Sequence, residues 1–509
     1  MKTLVFSILL LPSLLIADTF FITQNGTGLM DGSSWENAAS GNDLQNMINS
    51  ALSGDEIWVA CGTYVPTLGT DRSISFSMRN GIIIYGGFQG TELNINERNF
   101  SCGPCSELSG EIGIPGISDN SYTVIYNEQL TNTAILDGFV IRDGNDDRNP
   151  TSDGNGLGGG VYNHGYGSTG FCHPEIRNCI FFNNRASWGG GAFNNGYNNG
   201  HTQPTYINCI FYQNHAYREA GAMDSYGVGG TASPTIYNSI FYENTSATNV
   251  GAMYVWGGNT GGNAHPTLIN CIFSNNAALN GYGGAFIADS QDETGGASSG
   301  SCTITLQNCI IRNNSSTTIA PQFYVRGTNS QVLATYSNIE LSAQNSPHTI
   351  SGSGTGNIDT NPLFLNISNA LGVDGCWMTN DDGLQLTLGS TSIDSGTNIG
   401  THTSDILGLE RIVDGTVDMG PYEYQSTLST SSFTTKKPSI YPNPVRDILH
   451  IESSTNTAHN ISITSILGVI LEEFTFASCS LGCDIDIHHL NSGLYVIQVN
   501  DFTYKIYKY

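Results

Sequence analysis

The stretch Asn178-Cys179-Ile180-Phe181-Phe182-Asn183-Asn184 decides the fold, because the chain keeps returning to it. Related heptads open at Asn208, Asn238, Asn270 and Asn308, in steps of 30, 30, 32 and 38 residues. Fifteen or sixteen residues after each first Asn comes a second signature, ending at Phe193, Met223, Met253, Phe286 and Phe323. A period near 30 marks a solenoid whose repeats stack as coils. Short apolar runs bounded by Gly and Asn read as strands, and no apolar pattern of helical period competes. Parallel strands stacked about 4.8 Å apart set equivalent residues directly over one another.

That stacking assigns each position of the heptad a task. Asn178, Asn208, Asn238, Asn270 and Asn308 belong in turns, where Asn tolerates left-handed geometry. The Asn six residues later (Asn184, Asn214, Asn244, Asn276, Asn314) is expected in turns too, and the stacked amides can hydrogen-bond along the solenoid. Strand alternation puts Cys179 and Phe181 on one face and Ile180 on the other. The expectation is that Cys and Phe point inward and that loops cover the Ile column. Cys179, Cys209, Cys271 and Cys309 then serve as small buried thiols, and Ser239 in the same column shows that sulfur is not required.

Composition narrows the function. The 509 residues carry a formal charge of −26, only 12% are charged, and 61 are Gly. No lysine occurs between Lys2 and Lys436. Nucleic-acid binding needs basic patches, and polyanionic glycans would meet a repulsive field. Residues 1–17 read as a signal peptide, and no later run is long and apolar enough for a transmembrane helix. Cysteines in an exported chain suggest disulfides. Cys479 and Cys483 frame a Gly-containing turn. Cys102 and Cys105 form a thioredoxin-like Cys-Gly-Pro-Cys, but the residues after it are broken by Gly and Pro and cannot build the helix such a site needs. A structural disulfide, with Cys61 a candidate partner, is the better reading.

The pairing of Phe181 and Asn184, repeated down to Phe273 and Asn276, with Gly-Gly-Ala plus an apolar residue resembles polymorphic outer-membrane protein repeats. That resemblance implies a right-handed parallel β-helix of the pectin-lyase-like class. The run from Asp31 to Tyr64 is similar to the opening segment of that class, with a short helix near Leu44 to Ala51 and then the first strand. Asp382 to Tyr424 resembles the closing segment of secreted β-helices with interchangeable anchors. Tyr441, Pro442, Asn443 and Pro444, then Gly468, Gly493, Tyr495, Lys505 and Lys508, resemble the type IX secretion C-terminal sorting domain. This implies a small β-sandwich, the type IX secretion machinery as partner, and delivery to the outer-membrane surface or medium of a Gram-negative bacterium. Alternating apolar residues in the tail support the sandwich independently. The fold class expected is all-β: a right-handed parallel β-helix solenoid followed by a small C-terminal β-sandwich. The boundaries are 18–424 for the solenoid (18–62 capping, 357–424 closing), 425–437 for a Ser/Thr-rich linker and 438–509 for the sorting domain.

For function the sequence leaves alternatives. No catalytic residues stand out: Arg177, Arg185, Arg218, Arg312 and Arg326 share no one position on adjacent coils, and Asp224 and Asp289 lie two coils apart. A polysaccharide lyase or glycoside hydrolase therefore stays an alternative, as does a non-binding stalk. The preferred reading is a surface protein binding a neutral polysaccharide or surface glycan. Tyr166, Tyr197, Tyr226, Tyr254 and Trp256 would stack on sugar faces beside Asp224, although rings that merely cap loops would look the same. No cofactor is required. Ca2+ is a candidate at Asp143, Asp146, Asp147 and Asp153, with a solvated acidic loop as the alternative.

Overall fold

One coil shows how the repeat folds. Glu175–Arg177, Ile180–Phe182, Arg185–Trp188 and Ala192–Asn195 are four short strands separated by tight corners. Each pairs in parallel with its counterpart one coil on, so four parallel sheets of 15, 9, 6 and 7 strands run along a parallel β-helix. Register is strict: Ile180, Ile210, Ile240, Ile272 and Ile310 lie over one another. The computed structural model describes residues 17–98, 100–151, 154–342, 344, 350–352, 354–425, 438–452, 459–465, 469–476, 482–499 and 502–509. Residues 1–16 of the expected signal peptide, Asp153, residues 426–437 of the expected linker, Gly468 and Cys479 lie outside them.

Cys179, Phe181 and their equivalents are inside, with no exposure. The Phe column is a face-to-face stack, with centroids 4.2, 4.8 and 4.2 Å apart from Phe181 through Phe211 and Phe241 to Phe273. The thiols of Cys179, Cys209, Cys271 and Cys309 are free, and burial pushes that of Cys179 up to about 12. Such thiols are packing groups and poor nucleophiles.

The two Asn columns behave differently. The first Asn of each heptad is left-handed, with φ of 53°, 53°, 46°, 55° and 54°. The second column is not, contrary to expectation. The left-handed residue is the one before it (Asn183, Gln213, Glu243, Asn275, Asn313), whose strand-reversing φ turns the following Asn inward. There Asn184 donates to Asn214 (3.1 Å), Asn214 to Asn244 (3.0 Å), Asn244 to Asn276 (2.9 Å) and Asn276 to Asn314 (2.9 Å). Each of these carboxamide oxygens also accepts the preceding coil's Asn N–H, and each Nδ2 donates a second bond to a strand carbonyl one coil back, as Asn214 does to Phe181 (2.8 Å). Every donor and acceptor of the buried amide is thereby filled.

The second signature owes its Gly to the same tight stacking. A Cβ on Gly190, Gly221 or Gly251 would sit 2.5, 2.4 or 2.4 Å from a carbonyl oxygen of the next coil. The last coil carries Pro321 at that place.

The Ile column faces outward and is covered by the closing segment. Ile180, Ile210, Ile240, Ile272 and Ile310 pack against Trp377, Leu384, Leu386, Ile406, Met419 and Tyr422. Each buried Ile contributes on the order of 2 kcal/mol. The first Asn column is the rail on which this segment docks: Asn238 donates to the Ser404 carbonyl (2.8 Å), Asn270 to Asp418 (3.0 Å) and Asn308 to Thr397 (2.9 Å). Cys102 is disulfide-bonded to Cys376 and so pins the closing segment to an early coil, while Cys61 is bonded to Cys105. The four residues of Cys-Gly-Pro-Cys thus serve two long-range cross-links. Such links restrict the unfolded chain most when the loop is long. Cys483 is also disulfide-bonded.

At the N-terminal end the α-helix Leu44–Ser50 turns Leu44 and Ile48 onto the core. The first strand precedes this helix. Thr19–Thr23 pairs in parallel with Glu56–Ala60, so the helix lies inside the first coil. One register expectation also fails. Ala192 pairs with Met223, and Phe193 with Asp224, because the register shifts between Ala186 and Trp188. Ala192 therefore holds the core position and Phe193 points outward.

The chain divides into two compact units, Met1–Tyr424 and Gln425–Tyr509. The second has a three-stranded and a four-stranded antiparallel sheet around a core of Val445, Leu449, Ile451, Ile463, Ile497 and Ile506. Asn443 accepts the Tyr507 N–H (2.9 Å) and donates to the Lys505 carbonyl (2.9 Å), which seats the Tyr-Pro-Asn-Pro turn on the last strand. The Lys508 ammonium is buried against the Arg446 carbonyl and lies 3.8 Å from Asp447.

Asn244→Ala should lower stability by about 3 kcal/mol, since it strands Asn214, Asn276 and the Phe211 carbonyl. Cys179→Ser should cost far less, as Ser239 already fills that column. Chemical denaturation of both variants checks the contrast, and equal losses would refute it.

The closing segment should also be pH-sensitive. Burial pushes Asp382 up to about 7, against the opposing effect of the Tyr422 hydroxyl that donates to it (2.6 Å). The folded state therefore binds the extra proton. Stability from this group is full below its ordinary value of 3.8 and is lost as pH rises through about 7. Melting curves of wild type and Asp382→Asn should differ in slope across that window, with the variant flatter.

Candidate functional site

The sheet that contains Ala192–Asn195 presents the outward face with the most chemistry. On its strands Val161–His164, Ala192–Asn195, Met223–Tyr226, Met253–Trp256, Phe286–Asp289 and Phe323–Arg326, alternate residues point out. One outward column reads Tyr162, Phe193, Asp224, Tyr254, Ile287, Tyr324. The other reads His164, Asn195, Tyr226, Trp256, Asp289, Arg326.

The rings form a continuous row along the solenoid. Centroid distances are 5.4 Å from Tyr126 to Tyr162, 5.3 Å on to His164 and 5.9 Å on to Tyr166. The row continues at 5.7 Å to Tyr197, 5.5 Å to Tyr226 and 5.2 Å to Trp256. Tyr166 and Tyr197 each lie two residues past the paired His164 and Asn195, and their rings stack. The rings differ in access, however. Tyr226 and Tyr254 are each 2% exposed, whereas Tyr166, Tyr197 and Trp256 are half-buried. The first two are walls, and the other three offer ring faces.

A cavity opens at each end of the row. One, of about 450 Å³, is lined by Ser73, Tyr122, Tyr126, Arg148, Asn155 and Tyr162. The other, of about 400 Å³, lies among Trp188, Glu219, Tyr226, Tyr254, Trp256 and Asp289, with Arg326 at its edge. The long 38-residue step between Asn270 and Asn308 builds its outer wall. Its Ser290–Gly300 loop folds back so that Glu293 accepts the Tyr226 hydroxyl (3.1 Å) and the Gln291 carbonyl accepts the Trp256 indole N–H (2.8 Å).

Two carboxylates in register with the rings end in different states. Asp289 accepts the Tyr254 hydroxyl (2.7 Å) and the Arg326 Nε (2.7 Å), and Arg326 Nη2 donates to the Tyr254 oxygen (2.7 Å). Asp224, 1% exposed, has no hydrogen-bond partner on either oxygen among the described residues. Burial and then nearby Glu219 drive its carboxyl well above the ordinary range, and burial raises Glu219 as well.

Sequence reasoning missed Trp188, Glu219 and Arg326. Trp188 and Glu219 belong to the preceding sheet, and only the register shift pairs them and brings them beside Tyr226. The signal for Arg326 was present, since counting along the second signature places it in the Tyr226 column.

The acidic loop does not converge. Asp143 pairs with Arg142 (2.6 Å), Asp146 with Arg148 (2.7 Å) and Asp147 with Arg72 (3.0 Å). Among the described residues no group of three or more His, Cys, Asp or Glu side chains is arranged to hold a metal ion.

Comparison with known proteins adds one strong assignment. Residues 439–508 match the secretion system C-terminal sorting domain. The chain thus carries a type IX sorting domain and is secreted to the cell surface or beyond, and no helix among the described residues is long and apolar enough to cross a membrane. No curated protein matches the chain. Among solved structures it is similar to a pectate lyase (12% identity, 80% of this chain and 96% of that one, TM-score 0.36). A rhamnogalacturonan lyase (13%, 73% and 97%, TM-score 0.31) and a Paenibacillus alginate lyase (13%, 61% and 99%, TM-score 0.25) also match. At these scores the likenesses carry no functional argument.

Removing residues 438–509 should leave the protein in the periplasm of its host. Surface proteolysis and cell fractionation test this, and normal surface levels of the truncated chain would contradict it.

Proposed function

We propose that the protein is a secreted surface β-helix that holds a glycan chain lengthwise along the outward face of the ring-bearing sheet. The observation that supports this most is the unbroken row from Tyr126 to Trp256, crossing successive coils with a cavity at each end. Ring faces suit the apolar faces of sugars, and the neighbouring Asn, Ser and backbone groups suit hydroxyls. The strong negative charge and the absence of lysine between Lys2 and Lys436 favour a glycan without carboxylates or sulfates.

One observation favours cleavage as a second reading. The Tyr254 hydroxyl lies 2.7 Å from both Asp289 and Arg326 at the cavity wall, a phenol held between an acid and a guanidinium. Such a group can exchange a proton with a bound sugar. Incubation with a panel of polysaccharides, followed by reducing-end assay, separates the two readings: retention without new reducing ends supports binding.

Trp256→Ala and Tyr197→Ala should each weaken retention by about 1 kcal/mol, several-fold in affinity, with the melting temperature little changed. Tyr226→Ala should instead lower the melting temperature, since that ring packs with Tyr162, Phe193 and Val228. Unchanged retention in the Tyr197 and Trp256 double variant would reduce the row to loop packing.

A further inference from the structure

We propose that the Cys102–Cys376 disulfide is a thiol-sensitive latch on the closing segment, and that the Cys-Gly-Pro-Cys turn converts its opening into an exchange that releases Cys61. The latch does not depend on the glycan-binding reading.

The disulfide is within reach of solvent. Cys102 is exposed and Cys376 is half-buried. Cys376 ends a projecting turn in which Val373 is 95% exposed and a Cβ on Gly375 would meet nothing within 4 Å. Exposed disulfides are the labile ones towards free thiols. The thiols of Cys179, Cys209, Cys271 and Cys309, by contrast, are sealed in the core.

The segment is held by few groups beside this cross-link. Trp377 packs on Tyr212 (5.5 Å) and Tyr242 (5.9 Å), and the Tyr242 hydroxyl donates to the Ile367 carbonyl (2.9 Å). Gly103, left-handed at φ 68°, lets the turn abut Trp377, since a Cβ there would sit 3.0 Å from the Trp377 carbonyl oxygen. The buried Trp377 indole N–H has no hydrogen-bond partner among the described residues. An unpaired buried donor is costly, so the indole stabilises the docked state less than its area implies.

The chemistry balances with a low-molecular-weight thiol as reductant. A first thiolate attacks one sulfur of Cys102–Cys376 and expels the other as a thiolate. A second displaces the first, leaving Cys102 and Cys376 as thiols and a disulfide of the reagent as the oxidised product. The Cys102 thiolate then attacks Cys105 Sγ. The Cys102–Cys105 bond forms, the Cys61–Cys105 bond breaks, and Cys61 leaves as a thiolate that takes a proton from water.

Two features favour that last exchange. Only Gly103 and Pro104 separate the attacking and attacked cysteines, so the attack is intramolecular over a very short loop. Gln89 Nε2 donates to Cys61 Sγ (3.2 Å) and lies 3.9 Å from Cys105 Sγ, so a donor already faces the departing sulfur. No helix dipole is required, because a thiol of ordinary pKa is a good nucleophile in exchange.

The test treats the purified protein with reduced glutathione at neutral pH, then alkylates it rapidly and maps the peptides. Cys376 and Cys61 should carry the label, Cys102 and Cys105 should be joined, and Cys179, Cys209, Cys271 and Cys309 should stay unlabelled in the folded solenoid. Labelled Cys102 and Cys376 with Cys61–Cys105 intact would overturn the exchange. No labelling short of unfolding would overturn the latch. Cys376→Ser reaches the same state without a reductant, and should already hold the Cys102–Cys105 bond with Cys61 free. If that variant fails to fold, the mapping of the wild type decides. Chymotrypsin cleavage between Phe364 and Leu388 should accelerate at least about fivefold once the latch opens. An unchanged rate would overturn its control of the segment.

Discussion

The buried amide ladder from Asn184 to Asn314 is the interaction on which the rest of the structure depends. In a low-dielectric interior a carboxamide is tolerable only when all its hydrogen-bonding positions are filled. Here each amide is completed by the coils before and after it, so no coil can shift without stranding its neighbours. That fixes register along the solenoid, and register decides everything displayed outside. Tyr226 meets Trp256, and Tyr254 meets Asp224, because the amides beneath them do not slip.

The same repeat uses Asn a second time for a different purpose. The left-handed Asn at the other end of the heptad is an outward-facing rail, and its amides leave a donor for the carbonyls of the closing segment. The Ile column beside it supplies the apolar surface that segment covers. A solenoid of this kind would otherwise expose a continuous hydrophobic stripe, which invites association. The disulfide between Cys102 and Cys376 fastens the cover to the early coils.

Opposite requirements apply to the ring-bearing face. Its fixed strands keep the outward columns aligned, while the corners and return loops vary in length. The 38-residue step is where the variation acts, because its loop reaches back over earlier coils and turns a flat row of rings into a walled cavity. Loops accept insertions that strands cannot, so a site can change there at little cost to the core.

The sequence by itself determined the coil, the inward Cys and Phe, the covered Ile and the Asn columns, because a short period repeated five times exposes the register directly. It also determined the sorting domain, whose turn and last strand carry local signatures. Three things were decided only by tertiary structure. The register shift before Gly189 makes Ala192, and not Phe193, the core residue, since one extra residue in a corner has no local mark. The pairing of Cys102 with Cys376 spans 274 residues and depends on where the closing segment lies. The meeting of Trp188, Glu219, Asp289 and Arg326 joins four coils and two sheets. Periodicity tells which residues share a column, but only the packed chain tells which columns and loops enclose the same space.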